Sequence, residues 1–294
     1  MSDDLPVTEA RNPRSGGLDL HDTPALVALL VEEQRVAADA VLSQYRTIAQ
    51  AVDTIASRLE RGGRLHYVGA GSSGRLGTLD AAEMPPTFGT PHDLVRAHIA
   101  GGPEALVRSV EGAEDDGDAG DAAMSEHVES RDAVVGISAS GGAEFVVRAI
   151  ERARAIGAYT VALVNVEQSA LARAADLAIV LETGAEALAG STRMKAGTAQ
   201  KIALNALSTA VMVRLGKVYD NLMVDVVATN RKLRDRALRL VRTLTGADES
   251  RARDLLERAG GRVKVAAVMG RRGVEAHEAQ RLLEDSHGSL RALL

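Results

Sequence analysis

Cysteine is absent from all 294 residues, which removes disulfides, thiolate metal ligands and a cysteine nucleophile together. Aromatic residues are nearly as scarce, with two Phe, four Tyr and no Trp. The core must be built from Ala, Val and Leu, and few rings exist on which bases could stack, which argues against a single-strand nucleic-acid binder. Positive charge is not in excess either, since 35 Lys and Arg stand against 40 Asp and Glu. No global field therefore gathers phosphate backbones. No apolar run approaches the roughly 18 residues of a membrane span, and the acidic opening MSDDLPVTEA lacks the apolar centre of a secretory leader. The expectation is a cytoplasmic protein that engages neither membrane nor nucleic acid.

What is present is a globular balance of 46% hydrophobic and 26% charged residues, organised by a change of period. Residues 1–22 are polar and Gly-rich and predict an extended arm. Thr23 followed by Pro24 predicts a helix start, with the Thr hydroxyl as cap, and helical spacing runs on through Leu59 to Gly62-Gly63. Beyond it, short apolar segments at 65–68, 94–99, 133–137, 160–165 and 177–181 predict strands. They alternate with predicted helices around 73–83, 103–112, 142–156 and 196–216. Such alternation predicts a doubly wound α/β fold, five parallel strands with helices on both faces. After Gly216 the pattern predicts one basic helix over 221–244, then a small three-helix bundle from pieces near 248–259, 262–270 and 274–286.

The sharpest local signal is Gly69-Ala70-Gly71-Ser72-Ser73-Gly74, a G-x-G-x-x-G after a strand and before a helix. A dinucleotide site also needs an acid at the tip of the second strand, and there the chain reads Ile99-Ala100-Gly101-Gly102. Glu83 precedes Pro85-Pro86 and cannot stand at a strand end. What remains is a Ser/Gly loop at a helix N-terminus, where backbone N–H groups favour an anion. A turn that merely needs glycines explains one such loop equally well. A second loop, Ser138-Ala139-Ser140-Gly141-Gly142, repeats the context and lacks the G-x-S-x-G elbow of a serine nucleophile. Two such turns suit one small phosphate, held by Ser72, Ser73, Ser138 and Ser140.

Two acids stand out for proton transfer. Glu83 lies where the helix from the first loop must end, and Glu114 lies in the acidic run EGAEDDGD. On composition alone Glu83 reads first as a surface carboxylate at a helix end, and Glu114 as part of a solvated acidic loop or a divalent-cation loop. The acidic run lacks the ligand ladder of a calcium loop, and the seven histidines lack the spacing of a metal site. No metal and no dinucleotide is therefore expected. A third polar segment, from Glu182 through Ser191, Arg193 and Lys195, precedes a helix. It would complete a sugar-phosphate pocket or form an ordinary capped helix with solvated cations.

At this point the residues resemble a known family. The two loops are similar to those of sugar isomerase (SIS) domains. TEARNPRS, GAGSSGRLGTLDAAEMPPTFGT, VEGAEDD, ETGAEALAGSTRMKAGTAQK and GKVYDNLMVDV resemble the N-acetylmuramic acid 6-phosphate etherases over about four-fifths of the chain. Met84 departs from the family, many members of which carry Cys there. The resemblance implies an SIS-type fold and a carbon–oxygen lyase of cell-wall sugar recycling, cofactor-free and homodimeric. It would cleave the D-lactyl ether of N-acetylmuramate 6-phosphate to N-acetylglucosamine 6-phosphate and D-lactate. It also implies Glu83 as the acid, Glu114 as the base, the four serines on the phosphate with Lys195 or Arg193 offsetting its charge, and Glu182 and Ser191 in the same substrate site. The chain would divide into an arm and helix (1–53), a catalytic SIS domain (54–217) and a C-terminal helical region (218–294). A non-catalytic SIS sugar-phosphate sensor would keep the serines without needing both glutamates, and an SIS isomerase would need no acid at C3. A DNA-binding regulator would need a helix-turn-helix module that residues 1–60 are too short and too acidic to supply.

Overall fold

The run AVVGIS at Ala133–Ser138 is buried at every position, as a strand covered on both faces is. In the computed structural model, which describes residues 6–225 and 231–294, it is the central strand β3 of a five-stranded sheet. Its companions are β1 (Leu65–Gly69), β2 (Val95–Ile99), β4 (Tyr159–Val164) and β5 (Leu177–Val180). The order is β2-β1-β3-β4-β5 and every pairing is parallel. All five strands stand within about a residue of where the sequence places them. Three helices precede the sheet, α1 (Thr23–Glu33), α2 (Arg35–Ser43) and α3 (Tyr45–Glu60). Between and after the strands run α4 (Gly71–Phe88), α5 (Gly117–His127), α6 (Glu144–Ile156), α7 (Ala170–Ala174) and α8 (Lys195–Arg214).

Alternation along the strands sends side chains to two helical layers. Val68 and Val134 pack with Met124 of α5, Phe145 and Ile150 of α6 and Leu171 of α7. Tyr67 points the other way and donates from its hydroxyl to Asp80 of α4. The fold is therefore doubly wound, as expected, and its apolar core is almost wholly aliphatic.

The chain folds into two compact units: one takes the chain up to Ala81 with Asp93–Ser208, the other Ala82–His92 with Thr209–Leu294. In the second unit a short hairpin, β6 (Val218–Tyr219) and β7 (Leu222–Met223), precedes α9 (Arg231–Thr245), α10 (Glu249–Arg258), α11 (Val263–Arg272) and α12 (Ala276–Asp285). The four helices share one core of Ala237, Val241, Leu255, Val268 and Leu283 among others.

Several expectations are corrected. Of the helix predicted over 221–244, residues 231–244 lie in α9, whereas 221–225 belong to the hairpin and the turn after it, into which Asp220 turns the chain with a positive φ of 54°. Residues 226–230 of that expectation lie outside the described residues. The basic helix α9 is one of four that share this core, rather than a prelude to three. Asp22, not Thr23, caps α1, its side chain accepting from the Ala25 amide. The arm is not simply extended, since Pro13–Ser15 and Leu18–Leu20 each form a 3-10 turn. The helix predicted over 103–112 is a short 3-10 turn at Gly102–Leu106. α4 runs on through Pro85 and Pro86 to Phe88, although each proline forfeits an amide bond to the preceding turn.

Candidate active site

Strand order reverses between β1 and β3, the position where ligands bind in open parallel sheets. The two Ser/Gly loops follow these two neighbouring strands. Gly69 and Gly74 are close-packed, since a Cβ on Gly74 would meet the Gly69 carbonyl oxygen at 2.7 Å. That contact seats the start of α4 directly on the end of β1. The first-turn amides of α4 lack intrahelical acceptors and open beside Ser72. In the second loop, Ser138 Oγ accepts from the Gly141 amide at 3.0 Å and Ser140 Oγ from the Gly142 amide at 3.3 Å. Both serine protons stay available to an anion. Gly141 holds φ +68°, and a Cβ there would collide with Ser169 Oγ, so the turn admits glycine alone.

Ser73 has a different occupation. It is buried and donates to Gln200 Oε1 of α8 at 2.8 Å, which leaves Ser72 as the loop's free hydroxyl.

Glu114 stands in a 3-10 turn at Ala113–Asp115, entered through Gly112 in the left-handed region. It lines a cavity of about 220 Å³ together with Gly71 of the first loop, Arg75, Ser109 and Gly112. The acidic run thus meets the phosphate loop that precedes it by some forty residues. Arg75, to which the sequence assigned no role, donates to the carbonyls of Leu106 (3.3 Å) and Arg108 (3.0 Å). It ties the segment before Glu114 to α4.

The third polar segment is tied more tightly than a solvated cap. Glu186 accepts from the Lys195 and Ala196 amides at 3.1 and 2.9 Å, so the N-terminus of α8 is already occupied by a carboxylate. Burial pushes the Glu186 carboxyl up against the lowering effect of those two amides. Lys195 is not solvated: its Nζ donates to Glu33 Oε2 at 2.8 Å, and both side chains are buried. Burial raises the Glu33 carboxyl, but the Lys195 hydrogen bond and charge, with Asn12 and Arg14, outweigh it and hold it below its ordinary value. Ser191 is half-buried and Glu182 exposed. Glu182 follows β5, three strand spacings from β1, or roughly 14 Å. Glu83 is exposed on α4, in the second unit.

One cluster has no counterpart in the sequence analysis. His66 of β1, His98 of β2 and His127 of α5 stack with ring centroids 5.3 Å apart at each step. His66 Nε2 lies 3.3 Å from Asp132 Oδ2, and His66 Nδ1 lies 3.0 Å from His98 Nε2. Burial, then the charges of His66, His127 and Arg96, push His98 down to about 3. Three strand and helix positions 32 and 29 residues apart leave no motif for a sequence to reveal. Among the described residues no group of His, Asp and Glu is arranged to hold a metal ion.

A five-stranded parallel sheet carrying Ser/Gly loops at its reversal point fits an SIS domain. The SIS domain family matches residues 113–210, and the glucokinase regulatory protein N-terminal SIS domain matches residues 47–154. A phosphoheptose isomerase from Francisella tularensis shares the fold with a TM-score of 0.53, over 66% of this chain and 100% of its own, at 18% identity.

Curated relatives narrow the class. An N-acetylmuramic acid 6-phosphate etherase of Symbiobacterium thermophilum is 55% identical over 89% of this chain and 87% of its own. Those of Serratia proteamaculans and Trichormus variabilis are 50% and 52% identical, over 98% and 97% of this chain and 97% and 93% of their own. The chain belongs to the N-acetylmuramic acid 6-phosphate etherase family.

Proposed function

We propose that this protein cleaves the D-lactyl ether of N-acetylmuramate 6-phosphate, as a carbon–oxygen lyase that needs no metal or nucleotide. The observation that carries the reading is the cavity in which Glu114 faces Gly71 of the first Ser/Gly loop, in a chain half identical to etherases along nearly all its length. In the ring-opened sugar the C2 proton is acidified by the neighbouring aldehyde. Glu114 removes it, the C2–C3 double bond forms, and the C3–oxygen bond breaks. Glu83 supplies the proton that lets the lactyl oxygen leave as a hydroxyl rather than an alkoxide. Water then adds at C3 and a proton returns to C2, giving N-acetylglucosamine 6-phosphate and D-lactate. Each well-placed acid or base contributes about 10²–10⁴ in rate.

Ser72, Ser138 and Ser140 hold the phosphate with the amides that open α4, and Ser73 fixes the loop from behind. Glu182 and Ser191 serve the sugar end. The protein acts in the cytoplasm, in the recycling of cell-wall sugars, as a homodimer. α1 supports the last point: Glu33 is its only buried residue, so the run PALVALLV buries nothing within the chain and leaves Val27 and Val31 more than half exposed, a surface that a second copy would cover.

The sensor reading needs the phosphate loops without the chemistry. Incubation of the purified protein with N-acetylmuramate 6-phosphate separates the two. Stoichiometric D-lactate, unaffected by a chelator, is expected. Tight binding of the sugar phosphate with no lactate released would favour the sensor.

A further inference from the structure

The stretch Thr8–Ser15 carries part of the family resemblance, yet the mechanism gives it nothing to do. Its contacts converge on one place. The Thr8 carbonyl accepts from the Gly190 amide at 3.2 Å. Asn12 Nδ2 donates both to Glu33 Oε2 at 2.7 Å and to the Ala185 carbonyl, 173 residues away, at 3.1 Å. Lys195 Nζ donates to that same Glu33 oxygen at 2.8 Å, and Arg14 Nε lies 3.3 Å from the other one. The arm and the end of α1 therefore grip the segment 185–195 at its start, its middle and its end.

That segment needs such a grip. Residues 181–194 form no helix or strand, and an irregular stretch of this length has little to offset the entropy of ordering it. Neither does its cation move freely. Lys195 and Glu33 are 4% and 3% exposed at the side chain, and an ammonium drawn away to a phosphate would leave a buried carboxylate without its closest partner.

On the strength of the reaction proposed above, we infer that Asn12 and Glu33 are positioning residues that hold the 185–195 segment in place to present Ser191 to the sugar phosphate, with Lys195 as the anchor of this latch rather than a ligand of the phosphate. The arm is thereby part of the apparatus for substrate affinity although it touches none of the reacting atoms.

The test combines backbone hydrogen exchange with steady-state kinetics on N-acetylmuramate 6-phosphate, using the full chain. In Asn12→Ala the amides of 186–194 should exchange roughly tenfold faster, the equivalent of one to two hydrogen bonds lost, while those of β1 and β3 stay protected. KM should rise by a similar factor with kcat changed little. Glu33→Gln should raise KM further, because it takes from the buried Lys195 ammonium its nearest countercharge. The double variant Glu33→Gln/Lys195→Met removes both charges and should recover kcat/KM above that of Glu33→Gln alone. Unchanged exchange at 186–194 in Asn12→Ala overturns the latch, and faster exchange with an unaltered KM overturns its role in affinity. A double variant worse than Glu33→Gln would make Lys195 a direct phosphate ligand. If the wild-type protein released no lactate, the proposed reaction would fall, while the exchange data would still decide whether the latch exists.

Discussion

Ser73, in the loop after β1, and Gln200, 127 residues further on in α8, are joined by a buried hydrogen bond of 2.8 Å. The Gln200 amide donates onward to Asn165 Oδ1 at 3.2 Å, and Asn165 Nδ2 donates to the Leu181 carbonyl at 2.8 Å and to Thr183 Oγ1 at 3.2 Å. One chain of side-chain amides therefore ties together the ends of β1, β4 and β5, the edge of the sheet on which the site is built.

Gln200→Leu would leave the Ser73 hydroxyl and the Asn165 carbonyl oxygen buried without partners. The expected cost is about 1–3 kcal/mol, read as a lower urea midpoint with an unchanged denaturant slope. An unaltered midpoint would show that the network adds nothing to stability.

Asp80 anchors α4 from below. It accepts from Tyr67 at 2.9 Å, Asn205 at 2.6 Å and Ser208 at 3.1 Å, and burial pushes its carboxyl up despite those bonds. Asp80→Ala should cost on the order of 3 kcal/mol or more, because three buried donors lose their acceptor. Asp80→Asn, which keeps one acceptor oxygen, should cost less. Equal losses in thermal or urea unfolding would refute this ordering.

Gly74→Ala should destabilise the protein by roughly 1–3 kcal/mol, because the new methyl would lie 2.7 Å from both the Gly69 carbonyl oxygen and Ile99 Cγ1. Since relief requires the start of α4 to lift from β1, KM should rise along with the loss of stability. A destabilised variant with a wild-type KM would show that this loop does not bear on substrate.

Acid should weaken the fold through the histidine stack. With His98 pushed down to about 3, the native state refuses a proton that the unfolded chain accepts near 6.5. The stabilisation is complete above about pH 6.5 and drains as pH falls toward 3, at up to about 1.4 kcal/mol per pH unit. Asp132, raised by burial but lowered further by His66 and the Glu129 and Arg64 amides, is held at about 2. Its contribution is lost between the ordinary carboxylate range and 2, in the same sense. Urea midpoints at pH 7 and pH 4 should therefore differ, and His98→Gln should narrow the difference. An equal difference in that variant would contradict the assignment.

Local chemistry made most of the sheet legible. The runs around Val68, Val135 and Leu163 are apolar on both faces, and Gly69 and Gly141 mark where strands hand over to helices, so all five strands could be placed from the sequence. α5 was not anticipated, because GDAGDAAMSEH has almost no apolar face and reads as the continuation of an acidic loop. It is fixed instead by the close approach of Gly120 to the backbone of Phe145. The hairpin at Val218–Met223 was hidden for a related reason, since one positive-φ Asp220 decides it. Within the site, the two serine loops could be read from the sequence, whereas Ser73 bound to Gln200, Lys195 bound to Glu33 and the histidine stack could not. Each of these joins residues distant in sequence, and no spacing rule records such a pairing.

The most direct test of the proposed chemistry follows D-lactate release from N-acetylmuramate 6-phosphate in deuterated water, for the wild type beside Glu83→Ala and Glu114→Ala. Elimination through C2 predicts one deuterium at C2 of the N-acetylglucosamine 6-phosphate formed, and a loss of lactate release of about 10²–10⁴ in each variant. Glu83→Ala should still exchange the C2 proton, and Glu114→Ala should not. Lactate released with no deuterium at C2, or undiminished in Glu114→Ala, would contradict the account.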